Sequence, residues 1–276
     1  MPTFAQSFHS HLGQYKARCL GVSEAGIFLY HGKSVPRAHI LPKEMQWLNI
    51  LEPCRTGVQE YLAANPAIKL HKYFHHLNSS QAFALNLFYP FFEMGGAAQL
   101  LNALRTPGTV VHWQPELVPS FEEGTNVDVA WKGSGGAWTY CEVKLTEAEF
   151  GTATDDGRHR EKLSKFYRPN LEGHCDPLLL EPEEFFCNYQ ILRNIWLVAR
   201  QPDASLVFLL PKGNTALWGP LRAVLVRVNP KISARVRAIS IEDVLLALKT
   251  DSTLPPLLKT QAELLVEKYC LVQSVA

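Results

Sequence analysis

An α/β fold with a mixed central sheet follows from three features of this 276-residue chain. Helical and strand-like segments alternate from about residue 80 onward, and that order builds a sheet with helices laid on it. A glycine-rich turn, Gly133-Ser134-Gly135-Gly136, separates two runs patterned with period two, which is the mark of a hairpin. The composition is 47% hydrophobic and 19% charged, enough apolar material for a substantial core.

Taken in order, residues 1–40 show only short strand-like pieces such as Gly26–Tyr30. Residues 43–64 read as helical, interrupted by Pro53 and ended by Asn65-Pro66. Residues 71–77 read as a connection, with His71, His75 and His76 in a polar loop. Ser79 or Ser80 caps the next helix. From Ala82 to Tyr89 that helix is apolar almost all round, which predicts burial, and Pro90 and Gly95-Gly96 break it. A helix at Ala97–Arg105 and a strand at Thr109–Gln114 lead into the hairpin. Residues 151–184 look irregular. Then come a helix at Phe185–Arg200, a strand at Leu206–Leu210 and a helical stretch at about Thr215–Val226. A strand at Ala234–Ile239 and helices at Ile241–Lys249 and Leu257–Cys270 end the chain.

The hairpin carries the chemistry. Its strands run about Thr125–Lys132 and Ala137–Leu145. A turn centred near Ser134 or Gly135 sets Asp128 opposite Cys141 or Glu142. Glu142 and Lys144 are two apart and share a face. Val127, Val129, Trp131, Cys141, Val143 and Leu145 fall on the other face, which reads as core. Two carboxylates and an ammonium therefore converge. Like charges set opposite each other repel. A divalent cation removes that conflict, and Mg²⁺ is commonly held by two carboxylates plus waters and a substrate phosphate. The alternative is that Glu142 and Lys144 form an exposed pair on a half-solvated strand.

Asp128…Glu142-x-Lys144 resembles the signature of the PD-(D/E)XK nuclease superfamily, where it sits on a β-hairpin of an α/β core. Glu142-Val-Lys144-Leu-Thr-Glu147-Ala-Glu-Phe150-Gly151 looks like the way uncharacterised bacterial members leave this strand. Leu77-Asn78-Ser79-Ser80-Gln81-Ala82-Phe83 with Asn86-Leu87-Phe88 looks like their first core helix, and Tyr189-Gln190 with Arg193-Asn194 looks like the helix after the catalytic strand. Val127 stands where the superfamily's name has proline. The resemblance covers roughly residues 76–240 and implies a restriction-endonuclease-like αβββαβ core. On that reading the chain is a single domain, with residues 1–75 as an N-terminal extension, mostly helical from 43, 76–240 as the core and 241–276 as C-terminal helices.

The resemblance also implies roles. Asp128 and Glu142 hold Mg²⁺, with Mn²⁺ expected to substitute, and the backbone carbonyl of Val143 adds a ligand. Lys144 supplies positive charge near the attacking water or the developing phosphorane. Gln190 on its helix joins the site or is a polar core residue. Gln81, Asn86, Glu93 and Glu116 each read more readily as structural, although Glu93 or Glu116 would serve as a third acid. The implied activity is Mg²⁺-dependent hydrolysis of DNA. The rival readings are an inactive nuclease-like module that binds nucleic acid or protein, and a hydrolase acting on a smaller phosphodiester. No P-loop or GxGxxG motif supports the last.

The densest basic segment holds Arg158, Arg160, Lys162, Lys165 and Arg168, with Phe166 and Tyr167 available to stack on bases. It reads equally as a DNA-binding segment or as a solvated helix face. The 27 Lys and Arg against 26 Asp and Glu give a formal charge of +1, so any DNA groove must be a local patch. The six cysteines lack a C-x-x-C pair, which argues against a zinc ribbon, a disulfide framework or a clustered iron–sulfur site. No basic segment followed by an apolar run opens the sequence, and no stretch reaches the ~18 apolar residues of a membrane span. The expectation is a cytoplasmic protein without a membrane segment. The sequence leaves its oligomeric state open.

Overall fold

The structure is a computed structural model and describes residues 2–30 and 32–271. In chain order it runs α1 (Phe4–Leu20), β1 (Gly26–Tyr30), β2 (Lys33–Arg37), a 3₁₀ turn (Lys43–Asn49), α2 (Glu52–Ala64), α3 (Ser80–Glu93) and α4 (Ala97–Ala103). Strands β3 (His112–Leu117), β4 (Val127–Lys132) and β5 (Trp138–Val143) follow. After them come α5 (Gly157–Lys162), a π-helical turn (Leu163–Tyr167), α6 (Arg168–Leu171), a 3₁₀ turn (Pro177–Leu180), α7 (Pro182–Cys187), α8 (Tyr189–Ala199) and β6 (Ser205–Leu210). The chain continues through α9 (Thr215–Leu225), α10 (Pro230–Ser233), β7 (Val236–Ser240), α11 (Ile241–Thr250) and α12 (Pro256–Tyr269). Two compact units result: Met1–Thr109 with Ser240–Ala276, and Val110–Ile239.

The first unit is mostly helical, with α12 packed on α1, α2 and α3, and α11 on α4 and α12. Helix α1 was not anticipated from periodicity, but its ends are written in the sequence. Thr3 and Gln6 form a reciprocal capping box, and Gly21 closes the helix in the left-handed region at φ 67°. Pro53 starts α2 rather than only interrupting a helix, because its missing N–H falls in the first turn. Ser79 caps α3, whose residues Ala82–Phe88 are buried. Pro90 does not break α3, contrary to expectation. Proline cannot donate to the Asn86 carbonyl one turn back, and Gln261 of α12 does so instead at 2.7 Å. His75 and His76 are buried rather than part of a polar loop. Leu41 N donates to the His75 carbonyl at 3.0 Å, Asn49 Nδ2 to that of His76 at 2.7 Å, and Ile40 bridges to His76.

The second unit holds the five-stranded mixed sheet, in the order β3-β4-β5-β6-β7. β4 pairs antiparallel with both β3 and β5, and β5 pairs parallel with β6. β3 lies three residues later than the sequence suggested and contains Pro115, which an edge strand tolerates because its outer side needs no donor. Ala130, Tyr140, Leu206, Phe208 and Leu210 pack with Ile191, Leu192 and Ile195 of α8 in one core. The opposite face, with Val129, Cys141, Val143 and Val207, is buried too. Residues 151–184 are largely helical rather than irregular. Asp156 is an N-cap that accepts from His159 N at 2.9 Å. The helix expected at 185–200 is two helices, α7 and α8. Asn188 divides them with its side chain turned back onto the Glu184 carbonyl at 3.0 Å, competing with the helical ladder.

Candidate active site

Register brings the acids together. Val129 pairs with Cys141 and Ala130 with Tyr140, so one further step sets Asp128 opposite Glu142. Asp128 Oδ2 accepts from the Val143 amide N–H at 2.8 Å. Lys144 N donates to the Leu209 carbonyl at 3.0 Å, carrying the parallel ladder one residue past β5. Its ammonium therefore reaches the same face, with Nζ 3.4 Å from Glu142 Oε1.

Helix α8 covers that face. Gln190, Arg193 and Asn194 are spaced i, i+3 and i+4, so they line one stripe. All three donate to Glu142: Gln190 Nε2 to Oε1 at 2.5 Å, Asn194 Nδ2 to Oε2 at 3.0 Å and Arg193 Nη2 to Oε2 at 3.4 Å. With Lys144, each oxygen of Glu142 faces two donors. Gln190 Oε1 accepts from Gly151 N at 2.9 Å, and Gln190 N donates to the Gly151 carbonyl at 2.9 Å, which ties the segment leaving β5 to α8. A side chain at Gly151 would crowd Gln190 Oε1 at 3.3 Å. Glu147 Oε2 accepts from Leu145 N at 2.7 Å, and Asn214 Nδ2 holds the Glu147 carbonyl at 2.9 Å.

Burial pushes the Asp128 carboxyl well above its ordinary 3.8, the facing Glu142 charge pushes it further, and Lys144 opposes both. Burial pulls the Lys144 ammonium down, but the charges of Glu142, Glu147 and Asp128 outweigh it and leave it raised. Glu116 adds to the pressure on Asp128. Pro115 and Leu117 pair with Val129 and Val127, so Glu116 continues the row Glu116–Asp128–Glu142 across three strands. Its backbone sits at φ 54°, a strained region for a non-glycine residue, and its carboxylate accepts from Asn126 Nδ2.

Two facing carboxylates whose charges disfavour each other suit a hard divalent cation, with water and substrate filling the remaining positions. Among the described residues, no group of three or more His, Cys, Asp or Glu side chains is placed to hold a metal. Asp128 and Glu142 are a pair, and Glu116 does not complete a group of three with them.

The other polar residues of the first unit do structural work. Gln81 accepts from His71 N at 2.8 Å and donates to the Lys69 carbonyl at 2.9 Å. Asn86 accepts from Leu51 N at 2.7 Å and donates to the Asn49 carbonyl at 2.9 Å. Glu93 lies at the end of α3 in the first unit.

The basic segment is partly spoken for. Arg160 forks onto Asp155 at 2.5 and 2.9 Å, and Arg168 reaches the Leu180 carbonyl at 2.6 Å and Glu181 at 3.6 Å. Lys162, 3.2 Å from Glu123 Oε1, belongs to a buried cluster that sequence patterns do not single out. There Glu123 also accepts from Thr125, Tyr167 and Tyr189. No spacing rule links an acid at 123 to tyrosines at 167 and 189. Arg158 and Lys165 stay exposed, Lys165 over the Phe166 ring at 5.1 Å.

A five-stranded mixed sheet with helices packed on it, and an acidic pair with a lysine on its central hairpin, define a restriction-endonuclease-like protein. The sequence matches the family described as restriction endonuclease associating with ARP over residues 9–270, and the chain belongs to that family. No curated protein and no solved structure matches it significantly. Among the described residues no helix is long and apolar enough to cross a membrane.

Proposed function

We propose that this chain is a divalent-metal-dependent nuclease that hydrolyses phosphodiester bonds in DNA. The observation that carries the reading is the pairing of Asp128 with Glu142 across one register, Lys144 beside them. Asp128 and Glu142 would hold Mg²⁺ or Mn²⁺, which when bound polarises a phosphate and lowers the pKa of a water. Lys144 keeps a positive charge where a phosphoryl group gathers negative charge, without competing for the metal. Gln190 and Asn194 orient Glu142 from α8. Association with ARP, named in the family's description, belongs to the same proposal.

A second reading, an inactive nuclease-like module, draws on one observation. Glu142 already receives four donors, from Gln190, Lys144, Arg193 and Asn194, so its acceptor capacity is met without a metal. Incubating plasmid and single-stranded DNA with the purified chain decides between them. Cleavage with Mg²⁺ or Mn²⁺, lost with chelator and with Asp128→Asn, supports the nuclease. Metal-independent cleavage, or none with either ion, removes it.

A further inference from the structure

The first unit contains a cavity of about 640 Å³ that the proposed reaction does not use. That volume lies within the range of small-molecule sites. One wall is β1, where Ile27 and Leu29 are 48% and 64% exposed, large aliphatic side chains left in the open beside Pro42. The wall is fixed in place. Gly26 N donates to the Ile40 carbonyl at 2.9 Å, and a Cβ at Gly26 would meet the Leu41 carbonyl oxygen at 2.3 Å.

His75 lines the same cavity. It is only 8% exposed, and among the described residues no hydrogen bond of good geometry reaches its Nδ1, although the backbone of Lys72 and of Ile27 lies close enough to the ring to favour its protonated form. The ring is set edge-on against His76, with centroids 4.6 Å apart at 81°, so the nitrogen does not easily turn away. Burial, then the nearby Lys43 charge, lower its pKa from the ordinary 6.5 against the opposing hydrogen bonds to the Lys72 and Ile27 backbone. The neutral ring that this favours has one donor and one acceptor nitrogen, assigned by its tautomer. A buried polar atom without a partner is uncommon and asks for an explanation. Lys43 and Lys72 add two ammonium groups to the lining, and Glu24 and Glu44 add two carboxylates.

We propose that this cavity binds a mononucleotide, with the flat base against Ile27, Leu29 and Pro42, one polar edge of the base on His75 Nδ1, and the phosphate on Lys43 and Lys72. Glu24 and Glu44 are placed to accept from ribose hydroxyls. Free phosphate has no use for the aliphatic wall, and a lipid chain has no use for the buried imidazole. The inference stands apart from the nuclease reading, since it names different residues in the other unit.

The test is calorimetric titration of AMP, GMP, CMP and UMP into the full chain carrying Asp128→Asn, which removes the contribution of the proposed nuclease site. The expected result is one-site, saturable binding of at least one nucleotide, with ribose 5-phosphate and inorganic phosphate much weaker. Leu29→Glu and the double change Lys43→Ala/Lys72→Ala alter exposed side chains and should leave the melting temperature close to its starting value. Each should weaken binding by about tenfold or more. Absence of saturable binding for all four nucleotides overturns the proposal. So does equal binding of ribose 5-phosphate, or nucleotide affinity unchanged in both variants.

Discussion

Asp128 is the residue on which stability and activity oppose each other. Its carboxyl is raised above 3.8 by burial and by Glu142. A carboxyl raised on folding contributes stability that is complete below its unfolded pKa and is lost as pH rises through the folded value. Without divalent cations, the wild type should therefore lose stability as pH climbs from about 4 toward neutrality. Asp128→Asn should lack that component and be the more stable protein at pH 7. Melting temperatures across pH for both proteins in chelator check this, and parallel curves would contradict it. The same substitution should reduce DNA cleavage about 100-fold or more. Lys144→Ala should match that loss for a different reason. A cation cannot ligate Mg²⁺, so calorimetry should show Lys144→Ala binding the metal at least as well as wild type while Asp128→Ala binds it poorly. Equal loss of metal affinity in both would end the division of roles.

The β4–β5 hairpin was legible because two sequence signals agree on it: period-two alternation and a glycine-rich turn whose length fixes the register. Glu142's partners on α8 were half legible. Gln190, Arg193 and Asn194 share a helical stripe by spacing alone, but that the stripe lands on Glu142 depends on how α8 crosses the sheet, which no local pattern encodes. Helix α1 escaped notice because its apolar periodicity is weak, although Thr3, Gln6 and Gly21 mark both ends. The Glu123 cluster is the extreme case, since Lys162, Tyr167 and Tyr189 lie 39 to 66 residues from Glu123. Burial alone would raise Glu123, but hydrogen bonds from Thr125, Tyr167 and Lys162 leave it lowered. A lowered carboxyl contributes stability that is present above its unfolded pKa and lost as pH falls through the folded value. Glu123→Ala should therefore cost about 3 kcal/mol at pH 7, because it strands a Lys162 side chain only 15% exposed, and the cost should shrink in acid. Urea denaturation at pH 7 and pH 4 reads both numbers, and a loss that does not change with pH would mean the cluster works by packing. Helix α3 offers a separate test. Gln261→Ala should cost roughly 1–3 kcal/mol by leaving the Asn86 carbonyl unpaired, and Pro90→Ala, which restores an N–H to that carbonyl, should recover part of it. Strict additivity of the two changes would show that Gln261 does not stand in for the missing helix bond.

The family match spans both units, from residue 9 to 270, while the acidic pair and its supports all lie within 110–239. The chain carries a formal charge of +1, so long-range attraction to a polyanion is slight and DNA affinity must rest on a few local phosphate contacts. Within the basic segment the structure divides those contacts. Arg160, Lys162 and Arg168 already face carboxylates, at Asp155, Glu123 and Glu181. Among the described residues, Arg158 and Lys165 are exposed and pair with no carboxylate. If DNA lies along this segment, these two make the counterion-releasing contacts. Each phosphate contact contributes roughly 0.9 to the slope of log affinity against log salt on duplex DNA. Replacing Arg158 and Lys165 with Ala should therefore flatten the slope by about 2 and leave the melting temperature unchanged, because neither side chain is buried. Replacing Lys162 should instead lower the melting temperature, through Glu123. The measurement is a salt titration of each variant on one duplex, in Ca²⁺ to prevent cleavage. A slope that survives the loss of both Arg158 and Lys165 would place the DNA-binding face away from residues 158–168.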